Sequence, residues 1–287
     1  KGNFTGTLKV GFIIRQQFFY DNRITVSGYK DHIAIGSPIT YPDLTVSADG
    51  KPMKVGVDYK ITYSDNVEPG RAKITLEGIN NYKFTKYVYF NITEPTAQSK
   101  GVAAFVERLY TVALNRSYDP VGKIAWFDAH MAGADGATVA NGFFFSPELV
   151  NQKISNEEYV KRLYLTFMDR EPDAAGLNAW VEALEKGASR EKVFDGFVNS
   201  QEWANTCFKY GIKSGGNATP NIRIEPSAEI LAFAERLYTT CLGRSADASG
   251  LRAWAEALAN REGSGAKVAH GFFFSQEFES KNLSNED

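Results

Sequence analysis

Cysteine is scarce in this chain, with only Cys207 and Cys241 among 287 residues, which excludes a disulfide-stapled scaffold. Their spacing fits neither zinc-ligand nor redox patterns, so no metal and no cofactor is expected at them. Long apolar runs are missing too. No stretch approaches the roughly 20 uninterrupted apolar residues that a membrane helix needs, and no membrane span is expected. Basic charge is not in excess: 32 Lys and Arg stand against 34 Asp and Glu, a net charge of −2. That balance lacks the cation surplus that phosphate-backbone binding requires, which sets nucleic acid aside as a partner.

The chain does have a globular composition, 43% apolar and 23% charged, and a length that suggests about two domains. Its two parts follow different periods. Up to about residue 93, short β-branched and aromatic runs alternate with turn residues, the pattern of strands. Asp58 to Tyr63 and Ala72 to Leu76 flank a Glu68-Pro69-Gly70 turn, and Asp49-Gly50 marks a second hairpin because that dipeptide tolerates positive φ. In the last strand Val88, Phe90 and Ile92 alternate with Tyr87, Tyr89 and Asn91, so one face is buried. Residues 1–14 repeat this closing strand at an offset of 78 residues, Asn3-Phe4 against Asn81-Tyr82 and Phe12 and Ile14 against Phe90 and Ile92. They are expected to be the terminal strand of a preceding copy of the module, with the natural N-terminus lying further upstream.

The runs Gly56-Val57-Asp58-Tyr59 and Gly78-Ile79-Asn80-Asn81-Tyr82 resemble those of tandem Ig-like repeats in bacterial surface proteins. The resemblance implies an Ig-like β-sandwich over residues 15–93. A polar stretch containing Pro95 follows as a linker, residues 94–101.

Beyond it the apolar spacing is helical, and three segments superpose: Phe105 to Leu149, Tyr159 to Trp203 and Phe233 to Phe278. Arg-Leu-Tyr opens each copy at 108–110, 162–164 and 236–238. Arg116, Arg170 and Arg244 follow, then Asp119, Asp173 and Asp247, then Gly122, Gly176 and Gly250, then Trp126, Trp180 and Trp254. Each copy closes on Ser-x-Glu and an aromatic residue or Leu at Ser146, Ser200 and Ser275, the third displaced by an insertion near Gly263-Ser264-Gly265. The Asp residues are expected to cap the second helix of each copy, Ser155 to Glu158 to form a capping box, and Ser146-Pro147 to start another helix. The three Trp residues are expected to supply buried surface. The organisation read from these limits is repeat 1 over residues 102–154, repeat 2 over 155–212, a connector over 213–226 and repeat 3 over 227–287.

The pattern Arg-x-x-Asp-x-x-Gly-Leu-x-x-Trp in the second and third copies resembles domain of unknown function 4214. What that resemblance implies is location in a bacterial extracellular or surface protein. The first copy carries Lys123 where the others have Leu, which suggests a differently exposed face.

For chemistry, the Arg–Asp positions read as caps and local pairs rather than an ion or glycan site, and Asp-Ala-Ala-Gly lacks the alternating oxygens of a calcium loop. Cys207 and Cys241 leave two readings open: free buried thiols, or a disulfide joining the connector to repeat 3. The histidines lack a recurring position, His130 aligning with Leu184 and Leu258, so no catalytic residue is expected. Glu148, Glu202 and Glu277 read as first-turn residues favoured by the helix dipole. Candidate binding aromatics are Tyr87 and Tyr89, on the outer face of the last strand, and Phe144 and Phe273, from the triplets Phe143–Phe145 and Phe272–Phe274. Those triplets either bridge neighbouring repeats or present one ring to a partner. The expected fold is a multidomain β + α protein, an Ig-like β-sandwich followed by an all-α domain of three helical repeats. The expected function is that of a non-catalytic module, not an enzyme, in adhesion, cell-wall association or domain display. Rivals are a carbohydrate-binding accessory region of a surface hydrolase and a host-protein-binding module; the partner is unknown, a cell-wall or host glycan or a host protein.

Overall fold

A computed structural model describes residues 17–18, 23–221, 225–260 and 264–280; the opening repeat of the closing strand, residues 1–14, lies outside them. The chain divides into two compact units, residues 1–220 and 221–287.

The first unit begins with β-structure. Strands β1 (Gln17–Phe18), β2 (Ile24–Ser27), β3 (His32–Ile33), β4 (Thr45–Ala48), β5 (Lys51–Pro52), β6 (Tyr59–Ser64), β7 (Gly70–Gly78), β8 (Tyr82–Lys83) and β9 (Thr85–Thr93) follow in order. They form a three-stranded sheet β2-β4-β5, a four-stranded sheet β3-β9-β7-β6 and a short parallel pair β1-β8. Asp49 and Gly50 both take positive φ, 49° and 76°, at the β4–β5 turn, the conformation for which Asp-Gly is suited. The β6–β7 hairpin pairs Tyr59 with Gly78 through to Ser64 with Lys73. In β9 the alternation resolves as expected, Val88, Phe90 and Ile92 buried and Tyr87, Tyr89 and Asn91 exposed. Ile24, Val46 and Ala48 from one sheet, Met53 just past β5, and Ala72, Ile74, Leu76, Val88, Phe90 and Ile92 from the other sheet share one buried cluster, which continues into Val102, Ala103, Ile124 and Phe127 of the first helices.

Helix α1 (Ala97–Arg108) starts inside the stretch read as linker, because Thr96 accepts a hydrogen bond from the Ser99 amide and caps it. It runs into a π-helical turn, Leu109–Ala113. Then come α2 (Pro120–Met131), α3 (Gly136–Phe144) and α4 (Pro147–Asn151), which complete repeat 1. Repeat 2 repeats the plan with α5 (Asn156–Leu163), a second π-helical turn (Tyr164–Met168), α6 (Ala174–Glu185), α7 (Arg190–Val198) and α8 (Gln201–Tyr210). Both repeats contribute to one core that holds Phe105, Leu109, Phe144, Tyr159, Leu163, Phe167, Phe197 and Trp203. They therefore belong, with the β-strands, to the first unit.

Repeat 3 forms the second unit from α9 (Ala228–Leu242), α10 (Ala248–Ala259), α11 (Gly265–Phe273) and α12 (Gln276–Glu279). Its own small core holds Tyr238, Cys241, Leu242, Val268 and Phe272. Here α9 runs without a π-helical turn and ends at Gly243 with φ 60°.

Candidate functional site

The thrice-repeated polar positions converge on the same geometry in every copy. Asp119 Oδ1 accepts the Gly122 amide at 2.6 Å, Asp173 the Gly176 amide at 2.9 Å and Asp247 the Gly250 amide at 2.8 Å, so each caps its helix. The bonded amide holds the Asp173 carboxyl below its usual range, and bonds from the Ser249 hydroxyl and the Gly250 amide do the same for Asp247. Arg116 spans Glu148 with two bonds of 2.5 and 2.9 Å, Arg170 spans Glu202 with 2.7 and 2.9 Å, and Arg244 spans Glu277 with 2.5 and 2.8 Å. Such a two-bond fork is the strongest pairing that a guanidinium makes with a carboxylate. The same three guanidinium groups lie over Tyr110, Tyr164 and Tyr238 at 4.8, 5.1 and 5.0 Å from the ring centres. The Arg116–Asp119 distance is 3.9 Å, so the closer partner of each Arg is the Glu 32 or 33 residues on.

Sequence spacing had assigned those Glu residues to the helix dipole alone. The signal that would have found them is the closing Ser-x-Glu motif, whose two polar residues act together. Ser146, Ser200 and Ser275 cap the last helix of each copy by accepting from Leu149, Trp203 and Phe278 at 3.1 Å, and the Glu two residues on reaches back to the Arg. A Cβ at Gly122, Gly176 or Gly250 would fall on the hydroxyl of Tyr110, Tyr164 or Tyr238, and one at Gly142, Gly196 or Gly271 would press on the indole of Trp126, Trp180 or Trp254. Those three Trp residues are half-buried, each beside Phe143, Phe197 or Phe272 at 5.2 to 5.6 Å, while the fully buried tryptophan is Trp203.

Repeats 1 and 2 are locked by two arginines from one repeat position. Arg108 donates to the carbonyls of Leu165 and Thr166 in the second π-helical turn and pairs with Asp169 at 2.7 Å. Arg162 is buried and donates to the Ala113 carbonyl of the first π-helical turn at 2.8 Å, while holding Glu158 at 2.7 Å and the Gln152 amide oxygen at 2.8 Å. Phe144 is 2% exposed and lies among Tyr159, Phe167 and Phe194 of repeat 2. Of the two readings of the aromatic triplets, the bridge is the one that Phe144 adopts.

The packing bears on three sequence expectations and closes one of them. Lys123 does sit on a differently exposed face: its side chain is 2% exposed where the matching Leu177 and Leu251 are half-buried, with Nζ 3.0 Å from Glu107 and 4.0 Å above the Tyr118 ring. Cys207 and Cys241 are free and buried, each inside the core of a different unit, so the disulfide alternative falls. Burial pushes both thiols up, away from the reactive thiolate. Tyr87 and Tyr89 are exposed on the outer face of β9, with Lys73 5.7 Å and Arg71 3.9 Å from their ring centres. Phe273 is exposed in repeat 3.

A groove that no motif announced runs along the seam of the β-strands and α2. One cavity of about 330 Å³ is lined by Tyr29, Lys30, Tyr41, Asp43, Val121 and Asp128, among others. A second of about 250 Å³ adjoins it through Thr40, Tyr41, Pro42 and Val121 and reaches Tyr59 and Tyr63. Tyr29 meets Tyr41 edge-on at 6.5 Å, and Tyr41 packs edge-on against Phe90 at 5.2 Å. The Tyr41 hydroxyl donates to the Lys30 carbonyl, and burial pushes its pKa up to about 12. Lys30 Nζ lies 2.7 Å and His32 Nε2 3.0 Å from the Asp128 carboxylate. Burial acts to raise the Asp128 pKa, yet the bonds from His32 and Lys30 outweigh it and hold the carboxyl below its usual range. His32 is itself buried, so this trio fixes the β-strands to α2 across 96 residues of sequence. The groove combines exposed ring edges with carboxylates and an ammonium, groups that suit a polyhydroxylated ligand. Among the described residues no group of three His, Cys, Asp or Glu side chains is placed to hold a metal ion, and no helix is long and apolar enough to cross a membrane.

Fold and site together define a β-module joined to repeated helical units whose recurring polar residues cap and clamp helices. Residues 140–207 and 228–282 match the family described as Domain of unknown function (DUF4214). Among curated proteins and among solved structures no match to this chain is found.

Proposed function

We propose that the chain is a non-catalytic module of a bacterial cell-surface or secreted protein, acting in adhesion, cell-wall association or display of a further domain. The observation that carries this reading is the threefold repetition of one clamp. Arg, Glu, Asp and Tyr recur at matched positions, and in every copy they are engaged with one another and with helix ends. Residues that perform chemistry need reach to a substrate, whereas these answer requirements of the helices themselves. In this reading the strands form an Ig-like sandwich that sets the helical repeats at a distance from an anchoring surface, and the extracellular setting follows from the two resemblances in the sequence.

A second reading, carbohydrate binding, is favoured by the seam groove, where Tyr29 and Tyr41 stand beside Asp43 and Asp128. One screen tests both readings: the full chain is passed over peptidoglycan, other cell-wall polymers and a panel of glycans, with Tyr29→Ala and Asp43→Ala variants alongside. Retention that both substitutions abolish is the result for the groove. Retention unaffected by them supports a wall-associated module that uses another face. Turnover of any of these polymers by the purified chain overturns the non-catalytic reading.

A further inference from the structure

Repeat 3 keeps the apolar residues that lock repeats 1 and 2 together, yet they are less buried than their counterparts: Leu237 only partly packs against the core of its own unit, and Phe273 and Phe274 meet Phe278 and His270 but stay exposed. The comparison runs position by position. Phe105 and Tyr159 are fully buried, while Phe233 is half-buried; Leu109 and Leu163 are fully buried, while Leu237 is half-buried. Thr166 is fully buried, and Thr240 is exposed. Phe144 and Val198 are 2% and 6% exposed, and the matching Phe273 is 47% exposed with Phe274 beside it at 65%. Arg108 and Arg162 reach backbone carbonyls of the neighbouring repeat, whereas Arg236 stands exposed over its own Phe233, 5.9 Å from the ring centre. One face of the third unit therefore displays Phe233, Arg236, Leu237, Thr240, Phe273 and Phe274.

We propose that this face pairs with the same face of a second copy of the chain, so that the protein dimerises through repeat 3. The occupant is set by what the first unit displays: one repeat of this sequence is the partner that this face already takes within the chain. There the pairing is reciprocal, Arg108 serving the π-helical turn of repeat 2 and Arg162 that of repeat 1. A reciprocal contact between near-identical units becomes an isologous twofold contact when the two units are identical. Exposed aromatic residues and an arginine at the positions of that contact are also the composition of an interface centre rather than of ordinary surface. In the pair, Phe273 enters between α9 and α11 of the partner copy as Phe144 enters among Tyr159, Phe167 and Phe194, and Arg236 reaches the carbonyls of the partner copy's α9.

Sedimentation of the full chain up to about 100 μM, where a contact of micromolar strength is largely formed, reads the outcome. A dimer is expected for the native chain and for Val150→Asp, a control at an exposed apolar residue of the first unit. The variants F273D/F274D and R236E are expected to weaken it at least about tenfold, as truncation of interface anchors does. All substituted positions are exposed or half-buried, so the fold is retained; if the double variant lowers the helical circular dichroism, R236E decides. A native chain that stays monomeric throughout, a dimer that survives these substitutions, or one that V150D dissolves equally, overturns the proposal.

Discussion

Replacing Phe144 with Ala tests whether repeats 1 and 2 form one packed body. The ring is 2% exposed, and its neighbours Tyr159, Phe167 and Phe194, at centroid distances of 5.9, 5.5 and 5.8 Å, all come from repeat 2. Truncating a fully buried Phe costs about 3–5 kcal/mol, because transfer and cavity terms add. Lost ring pairs place this site toward the upper end of that range, since such pairs contribute about 0.5–1.5 kcal/mol beyond area alone. With an m-value near 3 kcal/mol/M for a unit of this size, the urea midpoint falls by about 1 M or more. Fluorescence in a Trp254→Phe background follows only Trp126, Trp180 and Trp203, all in the first unit, which avoids averaging over two units that unfold separately. Phe144→Leu, which keeps most of the apolar volume, is expected to cost less. A midpoint for F144A within about 0.3 M of the native value would refute the shared core.

Three further outcomes follow from the same geometry. Gly176→Ala lowers the melting temperature although alanine is the better helix former, because its Cβ would meet the Tyr164 hydroxyl; the expected loss is about 1–3 kcal/mol, typical of overpacking. His130→Leu preserves the fold and flattens the stability profile below pH 6.5, as chemical denaturation across pH 5 to 8 would show. Burial lowers the His130 pKa from 6.5, so the unfolded chain takes up the proton first; its contribution is complete above 6.5 and is lost as pH falls, with Nε2 lacking a partner among the described residues. Glu148→Gln costs less than about 1 kcal/mol because the pair is well exposed to solvent. Arg116 holds the Glu148 carboxyl below its usual range, so that contribution is present near neutral pH and disappears on acidification, which urea midpoints at pH 7 and pH 3 would compare.

The helix starts were legible because a cap is a local matter: Ser155, Ser146 and Asp173 announce themselves within three residues of the amides they accept from. Hairpins with Asp49-Gly50 and Pro69-Gly70 were legible for the same reason. What escaped is what depends on distant partners. The Arg116–Glu148 fork spans 32 residues and the His32–Asp128 contact 96. The π-helical turns answer to carbonyl contacts from another repeat, which no local propensity encodes. The grouping of repeats 1 and 2 apart from repeat 3 was hidden because all three carry the same signature; burial separates them, as Phe144 against the exposed Phe273 shows. Lys123 signalled a difference at this position, but its sense, burial beneath Tyr118 beside Glu107, depends on partners that the local sequence does not name.

Asp173 offers the most direct test of the claim that the repeated polar positions serve helix ends rather than a bound ion or a reaction. Asparagine caps a helix as well as aspartate but carries no charge, and alanine does neither. Thermal unfolding of the native chain, Asp173→Asn and Asp173→Ala should therefore give a small loss for the asparagine, which keeps the cap but not the charge, and a clearly larger one for the alanine. Equal losses in both variants, or no loss in either, would contradict the account.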